Sequence, residues 1–352
     1  MSAGAPPPET PARPSPATGG IAVILVSWND ADDLEEAVRS LAASRAGSAR
    51  PDLPVRLVAV GNGKDSVRED RIRALWPEAV ILINAENRGL APAANQGAAA
   101  AADAEILLFL NPDTRAVGDP FPALARGFEE HPEASALAPR LWDAADGQPG
   151  PPGRRALAAP GREDQFTFQV RHLPRLASDA RELLLGEHLR PDGAGRRAAR
   201  YADADRDRPF PVEQAAAAAL AVRRRAFDRI GGFDETFVPA WFEDVDLCAR
   251  LAPEGSILYW PSARFTHAGG VSSARLGYDR FLPILYTNAL RYRRKHYPAA
   301  SRGAYRLLLA GGMALRLALL PFRRSVPRRR GEAARAYVAV LRLALGLSRA
   351  NL

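Results

Sequence analysis

The chain has 352 residues, a length that accommodates one α/β domain with an additional segment. Hydrophobic residues make up 47% of it, which is enough for a packed core. The net charge of +8 and a pI near 10.1 indicate an anionic partner, namely nucleotide phosphates, acidic lipid headgroups or nucleic acid. Cys248 is the only cysteine, which excludes an intrachain disulfide and a cysteine-based zinc site and fits a reducing compartment.

The positive charge is concentrated towards the C-terminal end. Residues 291–330 contain twelve Lys or Arg residues and no Asp or Glu. Residues 1–19 are rich in small residues and Pro and lack the basic start and apolar run of a signal peptide, so we expect a disordered tail. We therefore expect three parts: this tail, an α/β domain over residues 20–275, and a basic helical region over residues 276–352.

Four short apolar runs predict strands that are buried on both faces. The runs are Ile21–Val26, Val55–Val60, Val80–Ile83 and Ile106–Leu110. Helical patterns separate them, and this alternation predicts a parallel sheet covered by helices on both sides. Polar loops follow the strands at Ser27–Asp30, Gly61–Asp65, Asn84–Gly89 and Asn111–Thr114. Because ligands bind beyond the carboxyl ends of such strands, these loops indicate a site.

The pattern is less regular in the second half of the domain. From about residue 142 to residue 208 the chain is rich in Pro, Gly and Arg, and we expect a long, mobile insertion. Val212–Arg223 and Ile257–Trp260 are predicted strands, the second of which ends before His267. From Arg280 onward the chain is predicted to be helical.

Two apolar segments lie in the basic region. Tyr305–Phe322 is strongly apolar but contains Arg306 and Arg316, whereas a spanning helix needs about 20 apolar residues with few charges. We therefore predict an amphipathic helix in the membrane interface, flanked by arginines that contact acidic headgroups. Tyr337–Leu347 is a second stretch of this kind.

Asn111-Pro112-Asp113 directly follows the fourth predicted strand, so its side chains project from the carboxyl edge of the sheet. A carboxylate at this edge could bind Mg²⁺ or Mn²⁺ together with diphosphate oxygens and water. The same residues are also good turn formers, and alone they favour neither interpretation.

Three carboxylates occur within four residues at Glu243, Asp244 and Asp246, beside Trp241 and Phe242 and at the start of a helical pattern. The helix dipole favours acidic residues in a first turn, which is the structural interpretation. Three are more than capping requires, so one could accept a proton from a hydroxyl group, with Asp246 in a structural role. The aromatic neighbours would form an apolar wall and raise the pKa of that carboxyl group.

His267 precedes the Gly/Ser-rich stretch Gly269–Ser273. A single histidine is more often structural than a ligand, but small residues let a phosphate approach the backbone, which favours a site. The polar loop after the third strand either holds a nucleotide or only shapes the turn. Its relevant residues are Asn84, Asn87, Gly89 and Asn95.

Taken in order, these segments resemble the family 2 glycosyltransferases, especially their bacterial rhamnosyltransferase-like branch. The resemblance covers residues 21–273, with a weaker echo at Tyr286–Tyr297. Its motifs are unspecific one by one, whereas their order and spacing over the whole domain are specific. The matching stretches are Ile24–Asn29, Asn84–Gly89, Ala94–Gly97, Leu108–Asp113, Gly231–Glu235, Phe242–Leu247 and His267.

The resemblance implies a GT-A fold, a nucleoside-diphosphate sugar donor, a divalent cation (Mg²⁺ or Mn²⁺) and inversion at the anomeric carbon. On the matching positions, Asp113 and His267 are the expected metal ligands and Asp244 is the expected catalytic base. Trp241 and Glu243 are the expected acceptor-binding residues. The expected donor-binding residues are Ser27, Asn29, Asn62, Asp65, Asn87, Arg88, Gly89, Asn95 and Asn111.

One position departs from the family pattern. After the second strand the family usually has an Asp that recognises the nucleotide base, and this chain has Gly61 there. Asp65, four residues later, is a candidate substitute. The departure puts the identity of the donor nucleotide in question more than the activity, because Asp113, Asp244 and His267 are all present.

By resemblance, we expect an inverting glycosyltransferase that moves a sugar from a dTDP- or UDP-linked donor, with dTDP-rhamnose as the first candidate. The acceptor would be a hydroxyl group of a cell-envelope glycan or a polyprenyl-linked sugar, in keeping with cytoplasmic, peripheral attachment to the acidic inner face of the plasma membrane. The alternative is a non-catalytic sugar-nucleotide-binding or scaffold protein with a decayed site, for which Gly61 is the only support. A nucleic-acid partner is not expected, because the arginine-rich region lacks a recognisable nucleic-acid-binding fold.

Overall fold

The computed structural model of the protein describes residues 19–143, 165–184, 201, 203–269, 276–322 and 330–348. The predicted tail lies outside the described residues except for Gly19, and so does most of the predicted insertion over residues 142–208.

A mixed sheet forms the centre of the fold. Its strands are β1 (Ile21–Ser27), β2 (Val55–Asn62), β3 (Val80–Asn84), β4 (Ile106–Leu110), β5 (Thr114–Ala116), β6 (Ala134–Asp143), β8 (Phe210–Val212), β10 (Ala219–Arg223) and β11 (Ser256–His267), while β7 (Val170–Arg171) and β9 (Gln214–Ala215) form a separate pair. The order across the sheet is β3-β2-β1-β4-β10-β6-β11-β5, and β8 pairs with β11. Strands β3, β2, β1 and β4 are parallel, whereas β10 runs antiparallel between β4 and β6.

Helices cover both faces of the sheet and continue beyond it. They are α1 (Ala31–Ala46), α2 (Glu69–Leu75), α3 (Leu90–Ala99), α4 (Pro120–Glu130), α5 (Phe166–Gln169), α6 (Leu176–Leu183), α7 (Arg224–Arg229), α8 (Glu243–Leu251), α9 (Tyr278–His296), α10 (Ala299–Leu319) and α11 (Arg330–Ala344). Alternate residues of β1 point to opposite faces, so Val23 packs in the core under α1 and α4, and Ile24 packs in the core under α3 and α8. A Cβ atom at Gly97 of α3 would lie 2.6 Å from Cγ2 of Ile24, so the glycine allows close packing of helix on strand. The predicted α/β fold is confirmed.

Two predicted strands differ from the structure. Val212–Arg223 is not one strand, because the backbone leaves the sheet between β8 and β10 and the N–H of Ala216 donates to the carbonyl of Gln169 instead (2.8 Å). The strand predicted at Ile257–Trp260 is longer: after an irregularity between Trp260 and Arg264 it continues to His267. The alternation of polar and apolar residues is weak in segments that are rich in alanine or contain proline. Pairing with distant strands therefore determines the conformation of these two segments.

Helices α9, α10 and α11 pack with α6 around a second apolar core that includes Leu309, Met313, Ala336 and Val340. The opposite face of α10 is exposed and carries no polar side chain: its exposed residues are Gly303, Leu307, Gly311, Ala314, Ala318 and Leu319. Among the described residues, one segment, Ala299–Phe322, is long and apolar enough to cross a membrane, with a mean hydropathy of 1.3. An apolar exposed face is unusual for a helix on the surface of a globular protein, where that face is normally polar.

Candidate active site

Asp113 and His267 lie together at the edge of the sheet. Asp113 precedes β5, His267 ends β11, and the two strands pair so that His267 lies opposite Thr114. Oδ1 of Asp113 is 3.3 Å from Nε2 of His267, and the N–H of Gly269 donates to Oδ2 of Asp113 (2.9 Å). His267 is 2% exposed, so the ring is held almost entirely inside the protein. The two predicted metal ligands are therefore adjacent.

The second ring nitrogen of His267 is fixed by Gln165. Nδ1 lies 2.8 Å from Oε1 of Gln165, and Nε2 of Gln165 donates to the carbonyl of His267 (2.7 Å) and to the carboxylate of Asp143. Because both of these partners are acceptors, the amide of Gln165 must present its oxygen to His267, and Nδ1 must carry the proton. Nε2 of His267 is thereby directed at Asp113 with a lone pair available for a metal ion. The ring of Phe168 stacks on the other side at 5.4 Å.

The electrostatics of this pair suit a divalent cation. Burial raises the pKa of Asp113, but the N–H of Gly269 and the hydrogen bond and charge that His267 supplies when Nε2 also carries a proton outweigh it, so the pKa of Asp113 is lowered. A bound cation would take the place of that proton on Nε2. The side-chain amide of Asn111 lies 3.3 Å from His267. Within the described part of the chain no group of three or more His, Cys, Asp or Glu residues could hold a metal. The donor set of one carboxylate and one imidazole therefore fits a cation whose other ligands come from a diphosphate and water.

Asp244 lies at the first turn of α8 and faces a cavity. Its carboxylate accepts hydrogen bonds from the N–H groups of Val245 (2.8 Å) and Ala217 (3.4 Å). Burial is the largest influence and raises the pKa of Asp244, against the lowering effect of those N–H groups and of Arg171. A carboxylate with a raised pKa can accept a proton from a hydroxyl group more readily than an ordinary aspartate.

The neighbouring carboxylates have different environments. Glu243 is 5% exposed, its Oε2 has no hydrogen-bond partner among the described residues, and burial together with the charge of Asp244 raises its pKa well above the usual value. Asp246 is fully buried and forms ion pairs with Arg250 (2.7 Å), His296 (2.7 Å) and Lys295 (2.9 Å). Its predicted structural role agrees with these contacts. Glu243 is not among the residues that line the cavity at Asp244.

The cavity next to Asp244 has a volume of about 580 Å³ and lies between the sheet domain and the C-terminal helices. Trp241 and Phe242 line it beside Asp244. One wall comes from the segment before and within α6 and carries both charges, with Arg171, Arg175 and Arg181 beside Asp179 and Glu182. The opposite wall comes from α9 and α10, with Leu285, Tyr286, Ala289 and Tyr305. A volume of this size accommodates a sugar with a further group attached.

A short backbone segment, Ala216–Ala218, separates this cavity from the Asp113 site. On one side the N–H of Ala217 donates to Asp244, and Ala216 lines the cavity. On the other side the carbonyl of Ala218 accepts the N–H of Asn111 (3.0 Å). The predicted base and the predicted metal ligands therefore lie on two sides of one strand connection.

Several predicted donor-binding residues hold loops together. Asn62 is 2% exposed: its Nδ2 donates to Oδ1 of Asn87 (2.8 Å) and to the carbonyl of Gly89 (3.0 Å), and its Oδ1 accepts the N–H of Arg88 (3.0 Å). Gly89 has a φ of +96°, and a Cβ atom there would lie 2.8 Å from Cγ1 of Val238, so glycine is required. These contacts shape the loop after β3.

The remaining predicted donor-binding residues differ in accessibility. Nδ2 of Asn95 donates to the carbonyl of Phe233 (2.9 Å), which ties α3 to the chain before α8. The side chains of Arg88 and Asp65 are exposed. Ser27 is fully buried, and no described residue forms a hydrogen bond with its Oγ. The backbone of Asn29 lies in the left-handed region, with a φ of 59°. Arg88 is thus open to an anionic ligand.

The departure at Gly61 has a physical counterpart. A Cβ atom at Gly61 would lie 2.9 Å from Cγ2 of Val67, so the space for a side chain is filled. Val67 is itself buried. Val67 therefore occupies the space that a side chain at position 61 would need.

The fold is similar to that of the GT-A glycosyltransferases. Residues 22–190 match the family model "Glycosyl transferase family 2", which supports a family 2 glycosyltransferase. The chain is 27% identical over 271 residues to N-acetylglucosaminyl-diphospho-decaprenol L-rhamnosyltransferase of Mycobacterium tuberculosis, in strains CDC 1551 / Oshkosh and ATCC 25618 / H37Rv. This similarity covers 73% of the chain and 79% of the relative.

Among solved structures, the fold is similar to that of GalNAc-T7 with UDP, GalNAc and Mn²⁺, at a TM-score of 0.54 and 14% identity. The alignment covers 91% of this chain, and the chain spans 55% of that longer protein. At this identity the likeness concerns the fold alone.

Proposed function

We propose that the chain is an inverting glycosyltransferase that transfers a sugar from a nucleoside-diphosphate donor to a hydroxyl group of a lipid-linked glycan. The observation that carries the proposal is the carboxylate of Asp244, which has a raised pKa and faces a cavity of about 580 Å³. The adjacent pair Asp113 and His267, on the other side of Ala216–Ala218, supplies a second centre suited to a diphosphate.

In this mechanism one centre acts on the attacking hydroxyl group and the other acts on the departing diphosphate. Asp244 accepts the proton of the acceptor hydroxyl group as its oxygen attacks the anomeric carbon, and the bond to the donor diphosphate breaks. Asp113 and Nε2 of His267 would hold Mg²⁺ or Mn²⁺. Such a cation supplies charge stabilisation to the departing diphosphate. Gln165 keeps His267 in the tautomer that this role needs, and the Asp113 carboxyl group stays ionised because its pKa is lowered.

The donor and acceptor classes rest on the relative. The mycobacterial protein is named as a rhamnosyltransferase that acts on a diphospho-decaprenol-linked sugar. For this chain we propose a rhamnose donor linked to dTDP or UDP and a polyprenyl-linked acceptor used in assembly of the cell envelope. The arginines of the cavity, among them Arg171, and the apolar wall with Leu285 support an acceptor that has both an anionic and an apolar part.

The C-terminal helices support attachment to an acidic membrane from the cytoplasmic side. Residues 276–352 contain 16 Lys or Arg residues against two Asp or Glu, whereas the whole chain has a net charge of +8. Leu307 on the exposed face of α10 is 74% exposed and Phe322 just beyond it is 80% exposed. An apolar face flanked by cations is typical of a helix that lies in the membrane interface.

The test is transfer measured with a panel of nucleoside-diphosphate sugars, a polyprenyl-diphosphate-linked acceptor in vesicles, and Mg²⁺ or Mn²⁺. We expect one donor to be consumed in a reaction that depends on both the acceptor and the cation. Binding of a donor without any transfer would favour the sugar-nucleotide-binding protein instead, and no binding of any donor would refute both.

A further inference from the structure

The backbone immediately before Asp244 adopts an unfavourable conformation. Trp241 and Phe242 have φ values of 72° and 71°, in the left-handed region that residues with a large side chain rarely adopt. Two such residues in succession persist only where surrounding contacts enforce them. Both side chains line the cavity at Asp244, so the contacts that hold this backbone also set the shape of the cavity.

One buried side chain on α9 contacts the backbone of this segment at three carbonyl groups. Asn288 is fully buried, and its Nδ2 lies 2.8 Å from the carbonyl oxygen of Ala240, 3.0 Å from that of Trp241 and 3.4 Å from that of Val238. Oδ1 of Asn288 accepts a hydrogen bond from Nη1 of Arg291 (2.5 Å). That bond identifies the oxygen end of the amide and leaves the NH₂ group facing the three carbonyl groups.

The packing of α9 alone does not account for an asparagine at this position. Asparagine is a poor residue for a helix interior, and a fully buried position on a helix is normally apolar. The carbonyl groups that Asn288 satisfies belong to a loop with no regular secondary structure, between Thr236 and the start of α8. Without the amide, these part-buried carbonyl groups would lose a hydrogen-bond partner, which costs stability.

Helix α9 also holds the far side of Asp244. Two residues along α8, Asp246 pairs with Lys295 and His296 near the end of α9. Asp244 therefore lies between two attachments to the same helix, one on the loop before it and one on the helix after it. Helix α9 therefore fixes the position of the Asp244 carboxylate.

We propose that Asn288 is a positioning residue for sugar transfer: it holds the Val238–Trp241 backbone so that Trp241 and Asp244 present their side chains to the acceptor. The inference rests on the proposed function of Asp244. It adds that the acceptor end of the site depends on a helix beyond the residues that match the family model, which end at residue 190.

The experiment compares Asn288→Ala with Leu290→Ala in the full-length protein. Leu290 lies on the same helix and is 6% exposed in the C-terminal core, so its truncation loosens α9 and leaves the amide of Asn288 in place. Hydrogen exchange of residues 236–245 is measured first, because it requires no catalysis. Transfer kinetics are then measured with donor and acceptor varied separately.

For Asn288→Ala we expect faster exchange confined to residues 236–245, a fall in kcat of at least about tenfold, and a donor KM within about twofold of the wild type. Leu290→Ala should spare both the exchange of this segment and kcat. Unchanged exchange of the segment in Asn288→Ala would overturn the inference, as would equal losses of kcat in the two variants. If the wild-type protein transfers no sugar, the proposed function fails, whereas the exchange result still decides whether Asn288 holds the loop.

Discussion

Nε2 of His267 and Oδ1 of Asp113 lie 3.3 Å apart at the end of β11, and the other ring nitrogen of His267 is bound to the side chain of Gln165. A histidine that is oriented in this way by an amide has one fixed tautomer and one lone pair directed at its partner. Gln165 therefore supports the pair without itself facing a ligand.

Replacing Gln165 by Ala should weaken metal binding. Without the amide the ring of His267 loses its fixed tautomer, and loss of such a partner typically costs about 10–100-fold in metal affinity. The measurement is a Mn²⁺ titration of donor binding. Gln169→Ala is the matched control, because Gln169 is equally buried on the same short helix but donates to the carbonyl of Ala219 (2.7 Å). Equal effects of the two substitutions would contradict a specific role for Gln165.

Conversion of the carboxylates of Glu243 and Asp244 to amides should affect sugar transfer to very different extents. Asp244→Asn removes the proposed base, and we expect transfer to fall by about 10²–10⁴-fold with donor binding retained. Glu243→Gln keeps the size of a side chain that does not line the cavity at Asp244, so we expect little change in kcat. Steady-state kinetics of both variants checks this. Full activity in Asp244→Asn would exclude it as the base, and loss of activity in Glu243→Gln would instead support the predicted acceptor-binding role of Glu243.

Activity should rise with pH through the pKa of Asp244. Transfer needs the ionised carboxylate, and burial raises this pKa above the value of about 3.9 for a free aspartate. The ascending limb of kcat/KM for the acceptor should therefore lie above the ordinary carboxyl range. Donor binding should stay constant across that limb, because the pKa of Asp113 is lowered and its carboxyl group stays ionised. A profile that stays flat down to the pKa of a free aspartate would contradict the raised pKa.

The sequence predicts the sheet better than it predicts the site. Strands β1, β2 and β4 are recognisable because buried parallel strands are uniformly apolar, a local property. The edge strand β3 is apolar as well, but it is largely exposed and not buried on both faces as predicted. Asp113 and His267 could be placed together only through resemblance, since strand pairing between β5 and β11 brings them into contact. Gln165 carries no local signal, and the weak resemblance at Tyr286–Tyr297 assigns no role to Asn288, because each residue acts through contacts with distant chain segments. The conflict at Gly61 with Val67 likewise becomes visible only in three dimensions.

Membrane binding should depend on the exposed apolar face of α10. Leu307→Glu places a charge at the centre of that face, and we expect a large loss of flotation with vesicles that contain acidic lipids. Val80→Glu introduces the same charge at an exposed apolar residue on the edge strand β3, 39% exposed, and should float like the wild type. Equal flotation of Leu307→Glu and the wild type would show that this face of α10 does not bind the membrane.

Helix α10 has Tyr305 in the wall of the cavity at Asp244 and Leu307 on its exposed side, two residues further along. The proposed membrane attachment and the proposed catalytic cavity therefore depend on the same helix. A truncation designed to make the protein soluble would also open the cavity, and its inactivity would say nothing about lipid. A water-soluble form that still works would have to come from substitutions on the outer side of α10, with every helix kept.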